Sequence, residues 1–151
     1  MYHSRKLIRD KIKEYLITID GIGQNVFFND PDTIQQDQVP CLFVNFESEN
    51  VYYQNISQNP RIQKRDLQYS IYGFIKSSKD LNDKIDELSY KIEKSLSENN
   101  SKIKLDGYVI TNNLISTDFE FNDNSELNIG CVKLTYNLSY RTLENNVSEI
   151  I

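Results

Sequence analysis

Several groups of side chains in this chain could do chemistry, and each lacks a partner that the chemistry needs. His3 is the sole histidine. A His-based nucleophilic triad needs a base beside its nucleophile, and a multi-His metal site needs more than one imidazole. Cys41 and Cys131 lie far apart, each inside an alternating apolar stretch. They read as reduced, buried core residues, and a disulfide between them requires those stretches to be neighbours. Asp118 and Glu120 stand two apart, so they share one face of a strand, and Asp123 and Glu126 follow in a turn. Together they could gather a divalent cation. That makes a carboxylate-based, metal-dependent enzyme the alternative of another class, against the plainer reading of a solvated acidic sheet face. Gly21-Ile22-Gly23 lacks the third glycine of a dinucleotide loop, and no GxxxxGK[ST] phosphate loop occurs. Arg61, Lys64 and Arg65 precede Tyr69 and Tyr72, a mixture that could grip single-stranded nucleic acid. The chain as a whole is acidic, with a pI of about 4.9, which argues against a duplex binder. The residues therefore name no catalytic site, no cofactor and no metal, and the reading is that the chain is not an enzyme.

The elements that must position these groups follow from apolar spacing. Residues 4–16 form a helix, with Ser4 as its cap and Ile8, Ile12, Tyr15 and Leu16 on one stripe. Arg5 and Lys6 then fall in its first turn, where the helix dipole disfavours cations by about 0.3–1 kcal/mol. The two are candidates for contact with a partner. Gly21 to Gly23 signals a turn, residues 26–28 a short strand, and the polar stretch 29–38 with Pro31 a loop. Residues 39–46 alternate, with Leu42, Val44 and Phe46 on one face and Cys41, Phe43 and Asn45 on the other. Residues 47–50 read as a turn, Val51-Tyr52-Tyr53 as the start of a further strand, and 54–60 as a polar, mobile loop. Residues 61–76 form a long strand with Leu67, Tyr69, Ile71 and Ile75 on one face, Gly73 opening a gap or bulge. Leu81, Ile85, Leu88, Ile92 and Leu96 recur at helical spacing, with Asp80–Lys84 and Glu87–Lys91 in the favourable i,i+4 order. Residues 114–121 and 129–141 alternate and are separated by a turn cluster, which predicts an antiparallel hairpin. Val132, Leu134, Tyr136, Leu138 and Tyr140 form the buried side of its second strand. The order predicts an α+β fold in one domain: an antiparallel-rich mixed sheet with two main helices on one face. The domain spans residues 1–142, and residues 143–151 are expected to be a flexible polar tail.

With 151 residues the chain can bury roughly two-thirds of its unfolded surface without help from metals or disulfides. No apolar run reaches the ~20 residues that span a bilayer, and the basic N-terminus is not followed by a signal-type apolar stretch. No membrane is expected. There is no Ala and no Trp, while Asn, Ile, Lys, Ser and Tyr abound, a bias that fits an AT-rich genome. Charge alternates in blocks: +3 over residues 1–14, −6 over 15–60, +3 over 61–104 and −5 over 105–151. Opposite blocks on opposite edges would attract in a head-to-tail assembly.

Along nearly its whole length the pattern resembles the tail terminators of long-tailed bacteriophages and prophages, the minor tail protein U-like family. His3-Ser4-Arg5-Lys6 with Ile8-Arg9 resembles the family's first helix, and Val26-Phe27 its first short strand. The stretch from Val39-Pro40-Cys41 through Val44 resembles the Pro-led second strand, and Arg65 with Leu67 to Gly73 the long third strand. Leu81, Ile85-Asp86, Leu88, Ile92-Glu93 and Leu96 follow the second helix. Thr117-Asp118-Phe119-Glu120, Leu134-Thr135-Tyr136 and Tyr140-Arg141-Thr142 match the final hairpin.

The resemblance implies a mechanical role in the virion tail and neck, after assembly in the host cytoplasm. Such a protein closes as a homo-oligomer, typically a hexameric ring, on the finished tail tube protein, ends its polymerisation and offers a joining surface to head-tail connector proteins. Genomic DNA would pass through its lumen without specific binding. A head-completion or neck connector is the alternative of the same class, and a small nucleic-acid-binding module another. The residues offered for contact between neighbouring subunits are Val51, Tyr52, Tyr53, Arg61 and Arg65. Arg5 and Lys6 are those offered for a partner.

Overall fold

The computed structural model describes residues 1–28, 39–98, 109–122 and 128–151. The 3.6-residue apolar stripes become α1 (Ser4–Leu16) and α2 (Leu81–Glu98). Helix α1 has the expected bounds, but its cap is His3, whose Nδ1 accepts from the Arg5 backbone N–H at 3.2 Å. Ser4 is instead buried inside the first turn, its own N–H donating to the Val147 carbonyl at 2.9 Å. Gly21 and Gly23 both have positive φ, the conformation the expected turn requires.

The strands are β1 (Val26–Phe27), β2 (Cys41–Gln54), β3 (Ile62–Ser77), β4 (Val109–Asn122) and β5 (Asn128–Leu143), in the sheet order β1-β2-β3-β5-β4. Among the described residues only the β1–β2 pair is parallel, so the sheet is mixed and antiparallel-rich, and the fold is α+β. Residues 47–50 are not a turn. They lie within β2, which runs on through a bulge between Phe46 and Ser48. Polar composition misled the reading there because this half of β2 extends beyond the core, where no apolar alternation is needed. The loop at 29–38 and all but Asn122 of the turn cluster at 122–126 lie outside the described residues, and Asn122 ends β4.

One face of the sheet carries the main core. Leu42, Val44, Leu67, Tyr69, Ile71, Val132, Leu134, Tyr136, Leu138 and Tyr140 meet Ile8, Ile12, Tyr15 and Leu16 of α1 and Ile85, Leu88, Ile92 and Leu96 of α2. Each fully buried aliphatic side chain here contributes about 1.5–3 kcal/mol relative to exposure. Gly73 is not at a bulge, since β3 keeps its register there against both neighbours. A Cβ at Gly73 would meet Leu88 Cδ2 at 2.8 Å, and one at Gly130 would meet Ile85 at 3.0 Å. These two glycines let α2 sit close on the sheet. A smaller cluster of Val39, Cys41 and Phe43 packs with Phe27, Tyr72 and Phe74. Among the described residues no helix is long and apolar enough to cross a membrane.

The segment set apart as a tail is tied to the domain. Leu143 ends β5, Ile150 is buried in the main core, and the Ile151 N–H donates to the Arg141 carbonyl at 3.0 Å. Val147, Ile150 and Ile151 are too few, at the end of a short polar stretch, to mark a regular element, so the burial of Ile150 was not legible in the sequence.

Candidate functional site

The bulge at Phe46/Ser48 changes which residues of β2 face the helices. Before it Leu42, Val44 and Phe46 do so; after it Glu49, Val51 and Tyr53 do, because Glu49 pairs with Leu67 and Val51 with Arg65. Glu49 thereby reaches the N-terminus of α1. Its Oε1 accepts from Arg5 Nη1 and from Arg65 Nη1, each at 2.7 Å, and its Oε2 accepts from the Tyr140 hydroxyl at 2.5 Å. Arg65 completes its fork with Thr142 Oγ1 at 3.0 Å and Gln63 Oε1 at 2.6 Å. Burial alone would raise the Glu49 carboxyl; the Tyr140 hydroxyl and the two guanidiniums outweigh it and hold the group below the usual carboxylate range. Burial, with Arg5 and Arg65 nearby, lowers the His3 imidazole against the opposing pull of Glu49. Burial and the bond to Glu49 push the Tyr140 phenol up. Three donors hold Glu49, so this cluster ties β2, β3 and β5 together in the extended half of the sheet and adds the Arg5 end of α1 to it.

This geometry sorts the residues singled out in the sequence. Arg65 is only 7% exposed, and each of its three guanidinium nitrogens bonds within the subunit. Arg5 is bound to Glu49, and Lys6 pairs with Asp10 at 2.5 Å and lies over the Tyr2 ring. The first-turn cations thus have acidic partners that relieve their clash with the helix dipole. Arg61 forms a two-pronged pair with Glu144 and lies 4.1 Å from the Tyr53 ring centroid. Val51, Tyr52 and Tyr53 are exposed, Tyr52 at 52%. The structure therefore keeps Val51, Tyr52, Tyr53 and Arg61 together at the surface of the β2–β3 arm and takes Arg65 inside it.

The other chemical groups are also placed. Asp118 stands opposite Lys133 and Glu120 opposite Cys131, while Asp123 and Glu126 lie outside the described residues. Among the described residues no group of three or more His, Cys, Asp or Glu is placed to hold a metal. Cys41 and Cys131 both lie opposite Phe74, from β2 and β5, and are free thiols. Burial pushes them up to about 11 and about 12. Tyr69 is buried, and Lys64 leans on Asp66 at 3.7 Å, so the basic and aromatic residues of 61–72 do not form one groove. On the face away from the helices Glu47 accepts from Ser70, Gln68 and Lys133.

Sequence reasoning missed a second surface. On β4, Leu114, Phe119 and Phe121 are exposed, with Phe119 at 53%. Leu114, Thr117, Phe119 and Phe121 pair with the helix-facing residues of β5, so this apolar row points to the helix side of an edge strand. Beside it runs a groove of about 580 Å³ between β4 and α2, lined in part by Tyr90, Glu93, Glu98, Asn112 and Leu114. The Asn112 Oδ1 accepts from the Tyr69 hydroxyl at 2.8 Å, whereas its buried Nδ2 has no partner among the described residues. Period-two spacing alone would group Ile115 with Thr117, Phe119 and Phe121, but a bulge in β4 between Leu114 and Ser116 brings Leu114 into the row instead.

No known protein family matches the chain, and no curated protein matches it. Solved structures do match. One is a chain of the virion of a native gene transfer agent (GTA) particle, 8% identical, with a TM-score of 0.44 over 87% of this chain and 92% of that chain.

Proposed function

We propose that this chain is a structural subunit of a virion, and specifically that it closes as a ring on a completed phage tail tube. The observation that carries the reading is the pair of lateral edges left uncovered among the described residues. The arm presents Val51, Tyr52 and Tyr53 on one side of the sheet, and β4 presents Leu114, Phe119 and Phe121 on the other. A subunit that leaves contiguous apolar side chains and unpaired strand edges exposed is built to have them covered. Two different edges make a heterologous contact, which closes as a ring when its rotation closes. The resemblance of the sequence to tail terminators supports the tail-specific part of the reading.

In this reading six copies surround a lumen through which DNA passes unbound. One end of the ring meets the tail tube and the other the head-tail connectors, with assembly in the host cytoplasm. Light scattering across a concentration series, then electron microscopy of mixtures with purified tail tubes, tests it. The expected result is a closed ring seated at tube ends. A chain that stays monomeric alone and with tubes refutes it, and rings that bind filled heads instead of tubes identify a neck connector.

A further inference from the structure

We propose that the β2–β3 arm of one copy adds to the β4 edge of the next, making one continuous antiparallel sheet around the ring, with the Tyr53–Arg61 stack entering the groove between β4 and α2. The proposal rests on the ring reading and names its contact.

Strand direction permits it. From β2 through β3 and β5 to β4 every neighbour is antiparallel, so β4 runs opposite to β2. A copy related by rotation about an axis along the strands therefore presents its β2 antiparallel to β4. Both strands also have a free outer side among the described residues, because β1 occupies β2 only at Leu42 and Phe43.

The occupied end of β2 fixes the direction of slide. Within one subunit Asn112 lies level with Glu49, through Leu138 and Leu67. Sliding the neighbour away from β1 by four residues sets Asn112 opposite Tyr53 and Leu114 opposite Val51. Four residues are about 14 Å, against a width of about 19 Å for the four strands of each copy. The resulting tilt is about 35°, within the range at which sheets close.

Side-chain chemistry agrees with that register. Val51 and Tyr53 face the helix side, as do Leu114 and Asn112, so apolar meets apolar on one face. Helix α2 ends without a basic residue in its last turn, and Glu93 and Glu98 stand at the groove. Lys94 is there too, held by Glu98 at 3.8 Å and by the Tyr90 ring. The helix end and its carboxylates make a site for a cation, and Arg61 arrives on the Tyr53 ring with only Nε and Nη2 spent on Glu144. The Asn112 Nδ2, without a partner among the described residues, borders the same groove, where an arriving oxygen would satisfy it.

The test is oxidative cross-linking of a chain carrying both Val51→Cys and Leu114→Cys, beside each single variant and the unaltered chain. The expected result is a ladder of covalent oligomers ending at the ring size, present only in the double variant. Leu114→Asp, at an exposed site, should leave the melting temperature unchanged and weaken association about tenfold or more. Rings that form by light scattering without the cross-link, or that survive Leu114→Asp at full strength, overturn the contact and leave the ring reading standing. A chain that never assembles removes the ring reading itself.

Discussion

Replacing Glu49 by Ala should cost more stability than any other single polar substitution in the arm. Glu49 and Arg65 are 10% and 8% exposed at their side chains. Removing one partner of a buried pair strands the other charge, a loss of about 3–5 kcal/mol. The Arg5 share is small, because that side chain is 40% exposed and solvent already screens it. For a domain of this size each kcal/mol is worth about 2–4 °C, so the melting temperature should fall by roughly 10 °C. Urea unfolding followed by circular dichroism measures the loss directly. Titration adds a second readout. The folded Glu49 carboxyl lies below its unfolded value, so its contribution is complete above about pH 4.3 and is lost as pH falls through the folded value. His3 acts in the same direction from a higher pH: its folded value is lowered, so its contribution is present above about pH 6.5 and fades as the ring is protonated. Glu49→Ala should flatten the acid limb near and below pH 4.3. A loss under about 1 kcal/mol, with an unchanged acid limb, would refute the reasoning that this cluster holds the extended half of the sheet together.

Two further outcomes follow from packing. Gly73→Ala should destabilise by about 1–3 kcal/mol, since its Cβ would stand 2.8 Å from Leu88 Cδ2, and pairing it with Leu88→Ala in the same urea assay should recover part of that loss. Removing residues 146–151 should cost about 2–4 kcal/mol, because it exposes the cavity left by Ile150 and strips Ser4 of its bond to the Val147 carbonyl; an unchanged unfolding midpoint would restore the view of this stretch as a loose tail.

Where a periodic apolar pattern met a layer that covers it, the sequence could be read directly. Helix α1, helix α2, the two faces of residues 41–46 and the buried row of β5 all fall where their spacing places them. The misreadings share a cause. Residues 47–50 and Ile150 each depend on a contact from a distant element: Arg65 and Tyr140 onto Glu49, and the main core onto Ile150; Gly73, read as a gap or a bulge, is the gap, and Leu88 occupies it. Arg61 and Arg65 looked equivalent as basic residues four apart on one strand. Arg65 lies opposite Val51 and within reach of Glu49, so it is drawn inside, whereas Arg61 precedes the strand and meets Glu144 at the surface. The uncovered row on β4 could not be told from a buried one, because alternation records a face and not what lies over it.

The bulge offers a sharper test of this division. It inserts one residue in β2 relative to β3, so Glu47 and Ser48 both turn to the side away from the helices. Deleting Ser48 should therefore remove the bulge without inverting the arm. Phe46 and Glu49 would still face the helices, separated by Glu47 alone, and Glu49 would keep its three donors. The expected cost is that of a changed local twist, about 1 kcal/mol, a common size for a single change away from the core. Deleting Asn50 instead breaks the alternation beyond Glu49 and turns Val51 and Tyr53 to the opposite face. It should leave the acid limb of the stability curve in place while abolishing assembly. If the Ser48 deletion loses as much stability as Glu49→Ala, the bulge itself positions Glu49, and period-two alternation is not enough to explain how the arm is aimed.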